Sequence, residues 1–172
     1  TLSACGLVSS SGTFRPASLP GGERPLEGTS VAVTSKNFTE QVLLGKITAT
    51  YLAAAGADVD DLTNAPGSMS SRQAVLNGDA DIVWEYTGTA WIAYLGETTP
   101  IPDERKQYEA VRDRDLEEHQ LVWLDPAPAN NTWAIALRQD VATENDLQTM
   151  TQMGEWIAGG GDVKLAAAAG AW

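Results

Sequence analysis

The chain contains one cysteine, Cys5, and one histidine, His119. A disulfide needs a pair of thiols, and a zinc site needs several Cys, His or carboxylate ligands converging. Neither set is present, so the reading assigns no metal site and no cystine framework. Cations are scarce as well: 11 Lys and Arg stand against 23 Asp and Glu, a formal charge of −12. Affinity for nucleic acid rests mainly on cations neutralising phosphates, and a nucleic-acid partner is therefore excluded. No apolar run reaches the ~20 residues that a membrane-spanning helix needs. Also lacking are a Gly-x-Ser-x-Gly elbow, a P-loop and a dinucleotide Gly-x-Gly-x-x-Gly. Gly159-Gly160-Gly161 is a loop signal only. With one Cys and one His, nucleophilic triads and metal hydrolysis have few possible members. The chain is not read as an enzyme, and no catalytic residue or cofactor is assigned.

What remains is an ordinary globular composition, 43% hydrophobic over 172 residues, which is enough to pack a core. The first five residues, Thr1-Leu2-Ser3-Ala4-Cys5, resemble a bacterial lipobox: a Leu, two small residues, then the Cys that carries a lipid after cleavage. Residues 1–5 are then the remnant of a signal peptide, and the alternative is an incidental lone Cys5. From Gly6 to Gly28, Ser, Gly and Pro dominate without helical or strand period, which is the composition of a flexible tether. A lipid at Cys5 followed by a tether would hold the protein outside the cell membrane without a spanning segment.

The remainder alternates between strand and helix signals. Val31-Ala32-Val33 reads as a buried strand, and Asn37 with Glu40 has capping-box spacing for the helix that follows. Leu44, Ile47, Tyr51, Leu52 and Ala55 recur at three- and four-residue steps as that helix's apolar face, with Gly56 as its stop. Asp58–Leu62 is a second strand. A second helix spans Ser70–Asn77, closed by Gly78, and Ile82-Val83-Trp84 is a third strand. Thr89–Leu95 and Pro102–Glu118 are further helices, the latter with a charged, solvated face and an exposed, functionless His119. Leu121–Leu124, Trp133–Leu137 and Val163–Ala168 read as strands, with a last helix within Asp146–Ile157. Strand, helix, strand at this spacing predicts βαβ units and an α/β fold with a mostly parallel sheet. In such sheets ligands bind beyond the carboxyl ends of the strands.

Three segments fall at such ends: Ser35–Gln41 (SKNFTEQ), Asn77–Ala90 (NGDADIVWEYTGTA) and Asn130–Arg138 (NNTWAIALR). In this order and spacing they resemble the substrate-binding proteins of ABC importers for glycine betaine, choline and related osmoprotectants, from about Val31 to the last residue. The residues make chemical sense by themselves. A quaternary ammonium has no N–H to donate, so its recognition falls to aromatic ring faces, which Tyr86 and Trp133 can supply. A carboxylate on the same ligand wants a cation, hydroxyls or helix-start amides, which Lys36, Thr89 and the amides around Gly88 can supply. The resemblance implies that Lys36 meets the ligand carboxylate, that Tyr86 is a cage tyrosine and that Thr89 is the hydroxyl beside it. Trp133 stands where the family commonly has Tyr. Trp84 and Trp91 are read as core, while Glu85 either orients the Tyr86 loop or faces solvent.

The resemblance also implies a two-lobed, periplasmic-binding-protein-like (type II) fold. Its first lobe is 29–128, and 129–172 is the start of a second lobe too short to bury a lobe-sized core. The chain is accordingly read as truncated at its carboxyl end, without a complete pocket. The implied partners are a quaternary ammonium ligand and the ABC permease in the membrane, with an extracytoplasmic, lipid-anchored location. Two alternatives stay open: a binding protein for another small solute such as an amino acid, and a scaffolding lipoprotein without a transport role.

Overall fold

The computed structural model describes residues 17–132, 134–164 and 166. They divide into two compact units with the boundary between Pro126 and Ala127. The first unit is built on β1 (Ser30–Lys36), α1 (Thr39–Ala54), β2 (Asp58–Ala65), α2 (Gly67–Leu76) and β3 (Ile82–Val83). Its sheet has the order β2-β1-β3 with both pairings parallel, as the strand–helix–strand spacing predicts. A right-handed path, which parallel connections follow almost without exception, carries α1 to one face of the sheet and α2 to the other. The chain therefore changes direction between β1 and β3, a topological switch point of the kind where α/β sheets take ligands.

Helix α1 keeps the predicted period, and of the expected face Ala55 is buried and Leu44 and Leu52 half-buried, but the phase is shifted. Gln41, Gly45 and Ala49 are its buried residues, four apart, whereas Ile47 and Tyr51 are 55% and 62% exposed. Close approach explains the shift. A Cβ on Gly45 would lie 2.7 Å from Thr63 Cγ2 and 3.2 Å from Ser35 Cβ, so this face of the helix takes small residues against β1 and β2. The capping box expected at Asn37 and Glu40 does not form either. Phe38 is the N-cap, in extended conformation and without a side-chain cap bond, and Glu40 instead accepts a hydrogen bond from the Tyr86 hydroxyl at 2.6 Å. The stop at Gly56 is as predicted, at φ 102°. Leu62, Ala74 and Ala80 form the small core, with Ala32 and Val75 packed against it.

After β3 the chain enters α3 (Thr87–Thr89), continued by a π-helical turn over Ala90–Tyr94. The turn is closed by Leu95 N–H donating to Ala90 O at 2.9 Å. Helix α4 (Glu104–His119) is capped by Asp103, which accepts from Lys106 N–H at 2.9 Å. Its charges are not uniformly solvated. Asp115 is fully buried and holds Arg72 of α2 through two hydrogen bonds. His119, expected to be exposed, is half-buried with Nδ1 3.1 Å from Asp115 Oδ1. Leu121–Leu124 forms no strand, because among the described residues no segment pairs with it. Val122 and Leu124 are 73% and 80% exposed. Side chains fix the segment in place of a ladder: Trp123 Nε1 donates to Asp115 at 2.6 Å and Tyr108 Oη to Leu124 O at 3.1 Å.

In the second unit, 134–137 and 163–164 are likewise not strands. The unit instead contains α5 (Gln139–Glu144), which the sequence did not suggest, and α6 (Met150–Ala158), which lies where the last helix was expected. Thr149 and Gln152 close a capping box on α6. Leu147 is buried beside a groove lined by Ile135, Leu137, Met150 and Met153. Cys5 and the start of the expected tether lie outside the described residues. The tether's last residues are held: Leu26 N–H donates to Ala55 O at 2.9 Å. Among the described residues no helix is long and apolar enough to cross a membrane.

Candidate ligand-binding site

The site forms where β1 and β3 end side by side. Lys36 is the last residue of β1, next to a register shift against β2 between Thr34 and Lys36. Opposite the shift, Asn64 takes a left-handed conformation at φ 75° and donates its N–H to Ser35 Oγ at 3.0 Å. Bulges of this kind re-aim the neighbouring side chain. Phe38 and Tyr86 are the N-caps of α1 and α3, the helices that follow β1 and β3. Their rings stack with centroids 6.1 Å apart and an interplanar angle of 24°.

Lys36 is only 2% exposed. An ammonium this deep must be paired, because its desolvation cost is otherwise uncompensated. Glu85, directly after Trp84, supplies the partner as an ion pair and is itself 7% exposed. Lys36 Nζ also lies 4.9 Å from the centroid of the Tyr86 ring. Both Glu85 oxygens are engaged. Oε1 accepts the Tyr86 N–H at 2.8 Å, and Oε2 accepts the Tyr94 hydroxyl at 2.8 Å. Burial, and then the neighbouring Glu85 charge, push the Tyr94 phenol well above its ordinary value, so it stays a proton donor.

Tyr94 continues the network away from the site. The Arg72 guanidinium sits 5.0 Å over its ring, within cation–π reach, and pairs with Asp115. Burial works to raise the Asp115 carboxyl, but hydrogen bonds from Arg72, Trp123 and His119 and the Arg72 charge outweigh it, and the pKa is lowered. On β2, burial of Asp61 is overcome in the same way by Lys46 of α1 and by Thr63, and its pKa is lowered.

The structure brings Lys36 and Tyr86 together and places Thr89, half-buried, one turn after Tyr86. Trp133 lies outside the described residues. Trp84 and Trp91, read as core, are half-buried, with indole N–H groups donating to Thr48 Oγ1 and Thr99 O, each at 2.8 Å. Glu85 was left open by the sequence; its side chain is nearly covered and holds both Lys36 and the Tyr86 backbone. Phe38, Glu40 and Tyr94 were not foreseen as neighbours of Tyr86 and Glu85. The available signal was position: Phe38 lies two residues beyond Lys36 in SKNFTEQ, and Glu85 directly precedes Tyr86. Their meeting depends on β3 lying beside β1, which spacing alone does not give.

A solved structure that this parallel α/β unit resembles is one of the periplasmic-binding-protein-like substrate-binding proteins of ABC transporters. The apo form of YehZ from Escherichia coli superposes with a TM-score of 0.59 at 36% identity, over 80% of this chain and 49% of that one. Residues 29–169 match the OpuAC model, the substrate binding domain of ABC-type glycine betaine transport system, and the chain belongs to that family. It is 40% identical over 147 residues to the glycine betaine-binding protein YehZ of Escherichia coli K12, covering 84% of this chain and 48% of the relative. To a glycine-betaine-binding protein of Pseudomonas aeruginosa it is 36% identical over 132 residues, covering 77% and 42%. The chain thus spans about half the length of the curated relatives it matches.

Proposed function

We propose that the chain contributes to the extracytoplasmic solute-binding subunit of an ABC importer, one that captures glycine betaine, choline or a similar quaternary ammonium compound. The observation that carries this reading is the Tyr86 ring, stacked with Phe38 and fronted by Lys36 at the switch point. Aromatic faces attract methylated ammonium groups through their quadrupole. Lys36 and Thr89 would face the ligand's carboxylate end, and Trp133 would give a further ring wall. The protein's work is capture, with no catalytic step. A ligand held at the site shifts the population towards a form the permease recognises. Cys5 would carry the lipid that keeps the subunit at the outer surface of the cell membrane. The names of the relatives, both glycine betaine-binding proteins, favour this solute class over amino acids.

The test is tryptophan fluorescence on a polypeptide of the relatives' length that contains these residues, titrated with glycine betaine and with choline. Saturable quenching or a spectral shift, weakened at least about tenfold in Tyr86→Ala, is the expected outcome. A folded protein that responds to neither ligand would return Tyr86 to a packing role and turn the search to other solutes.

A further inference from the structure

Lys36 poses a difficulty for a site that receives an organic cation. Its ammonium is fixed 4.9 Å from the centroid of the ring offered to the ligand. A ligand ammonium within the ~6 Å of that centroid that a cation–π contact needs lies at most about 11 Å from Nζ, and at an effective dielectric of ~20 a bare Lys36 would weaken its binding at least about tenfold. Glu85 removes the difficulty without removing the lysine. Its side chain is 7% exposed, and its oxygens are tied to Lys36, the Tyr86 N–H and the Tyr94 hydroxyl. It therefore cannot swing into solvent and leave the lysine charged and alone. The Tyr94 ring is braced in turn by Arg72.

We propose that Glu85 is the specificity-determining residue of this site: its carboxylate cancels the Lys36 charge in place, so that the Tyr86 ring accepts an organic cation whether or not that cation carries a carboxylate. The inference rests on the quaternary-ammonium reading above. With Glu85 intact, the Lys36–Glu85 pair is net neutral beside the ring, and a simple cation such as choline meets no repulsion. With Glu85 neutralised, Lys36 is a bare cation, and a ligand must bring its own carboxylate to satisfy it. Zwitterions are then retained and simple cations rejected.

The experiment is calorimetric titration of choline chloride and of glycine betaine, at one fixed ionic strength, into a polypeptide of the relatives' length. Wild type, Glu85→Gln and the double variant Lys36→Met/Glu85→Gln are compared. In Glu85→Gln, choline is expected to weaken at least about tenfold while glycine betaine changes less than about threefold. The double variant, with no buried charge left at the pair, is expected to recover most of the choline affinity lost in the single variant and to bind glycine betaine more weakly than wild type. Equal losses for both ligands in Glu85→Gln would mark Glu85 as a purely structural partner and overturn the proposal, as would choline binding left unchanged. Should Glu85→Gln fail to fold by circular dichroism, the double variant decides: choline binding close to wild type upholds charge cancellation, and its loss overturns it. A wild-type protein that binds neither ligand removes the quaternary-ammonium reading itself. Wild-type binding without a change in the choline-to-betaine ratio removes only the role of Glu85.

Discussion

Asp115 illustrates how much a single side chain can hold. It is fully buried on the inner face of α4, and its oxygens accept from Arg72 and Trp123 and lie against His119. Removing one partner of a buried ion pair strands the other and costs about 3–5 kcal/mol, so Asp115→Asn should lower stability by at least ~3 kcal/mol at neutral pH. The pH dependence follows from the direction of the shift. The folded carboxyl titrates below its unfolded value, so its contribution is complete above about pH 4. That contribution fades as pH falls through the depressed folded value. Thermal melts between pH 7 and pH 2 should therefore show a steep acid decline in wild type and a shallower one in Asp115→Asn. Superimposable curves would show that the network contributes nothing. In the sequence Asp115 looked like one more charge on a solvated helix, because its partner Arg72 is 43 residues away. That Lys36 and Tyr86 lie near one another was legible, since each sits in a dense local motif at a strand end. Glu85 was not, because its burial depends on the pairing of β1 with β3.

Elements were easier to find than to orient. The glycine stops at Gly56, Gly78 and Gly96 all have positive φ, and the first three strands fall where hydrophobic runs and spacing put them. The phase of α1 was misjudged because Ile47 and Tyr51 suggest a core face, while contact with the sheet selects Gly45 and Ala49 instead. That account makes opposite predictions for one substitution at two sites. A methyl on Gly45 meets Thr63 Cγ2, and Thr63 is held by its hydroxyl bond to Asp61 at 2.7 Å. Overpacking of this kind costs about 1–3 kcal/mol, more than the ~1 kcal/mol that helix propensity returns. Gly45→Ala should thus lower the melting temperature. On α6 a Cβ at Gly154 meets nothing within 4 Å, so Gly154→Ala should leave it unchanged or raise it. Both substitutions acting alike would refute close packing as the reason for Gly45. The failed strand at Leu121–Leu124 teaches the complementary lesson. An apolar run specifies a strand only where a neighbour offers a ladder, and here side-chain bonds from Trp123 and Tyr108 fix the segment instead.

At the scale of the molecule, the α/β class and the position of the site follow from one topological fact. With the order β2-β1-β3, the segments after β1 and β3 diverge, and their first residues must line whatever opens between them. In the proposed function this is one wall of the ligand site: Lys36 and Glu85 at its base, with Tyr86 and Phe38 beside them. Small-ligand sites typically bury about 70–90% of the ligand surface, and one wall cannot do that. The relatives have about twice the length spanned here, room for residues that would close over the ligand. Residues 1–172 alone should accordingly bind glycine betaine at least about a hundredfold more weakly than a polypeptide of the relatives' length, a loss of roughly 2.7 kcal/mol or more. Parallel calorimetric titrations of the two polypeptides, each first shown by circular dichroism to be folded, measure the difference directly. Matching affinities would mean that residues 1–172 already suffice. The enclosure argument would then fail even though the aromatic recognition of the cation could stand.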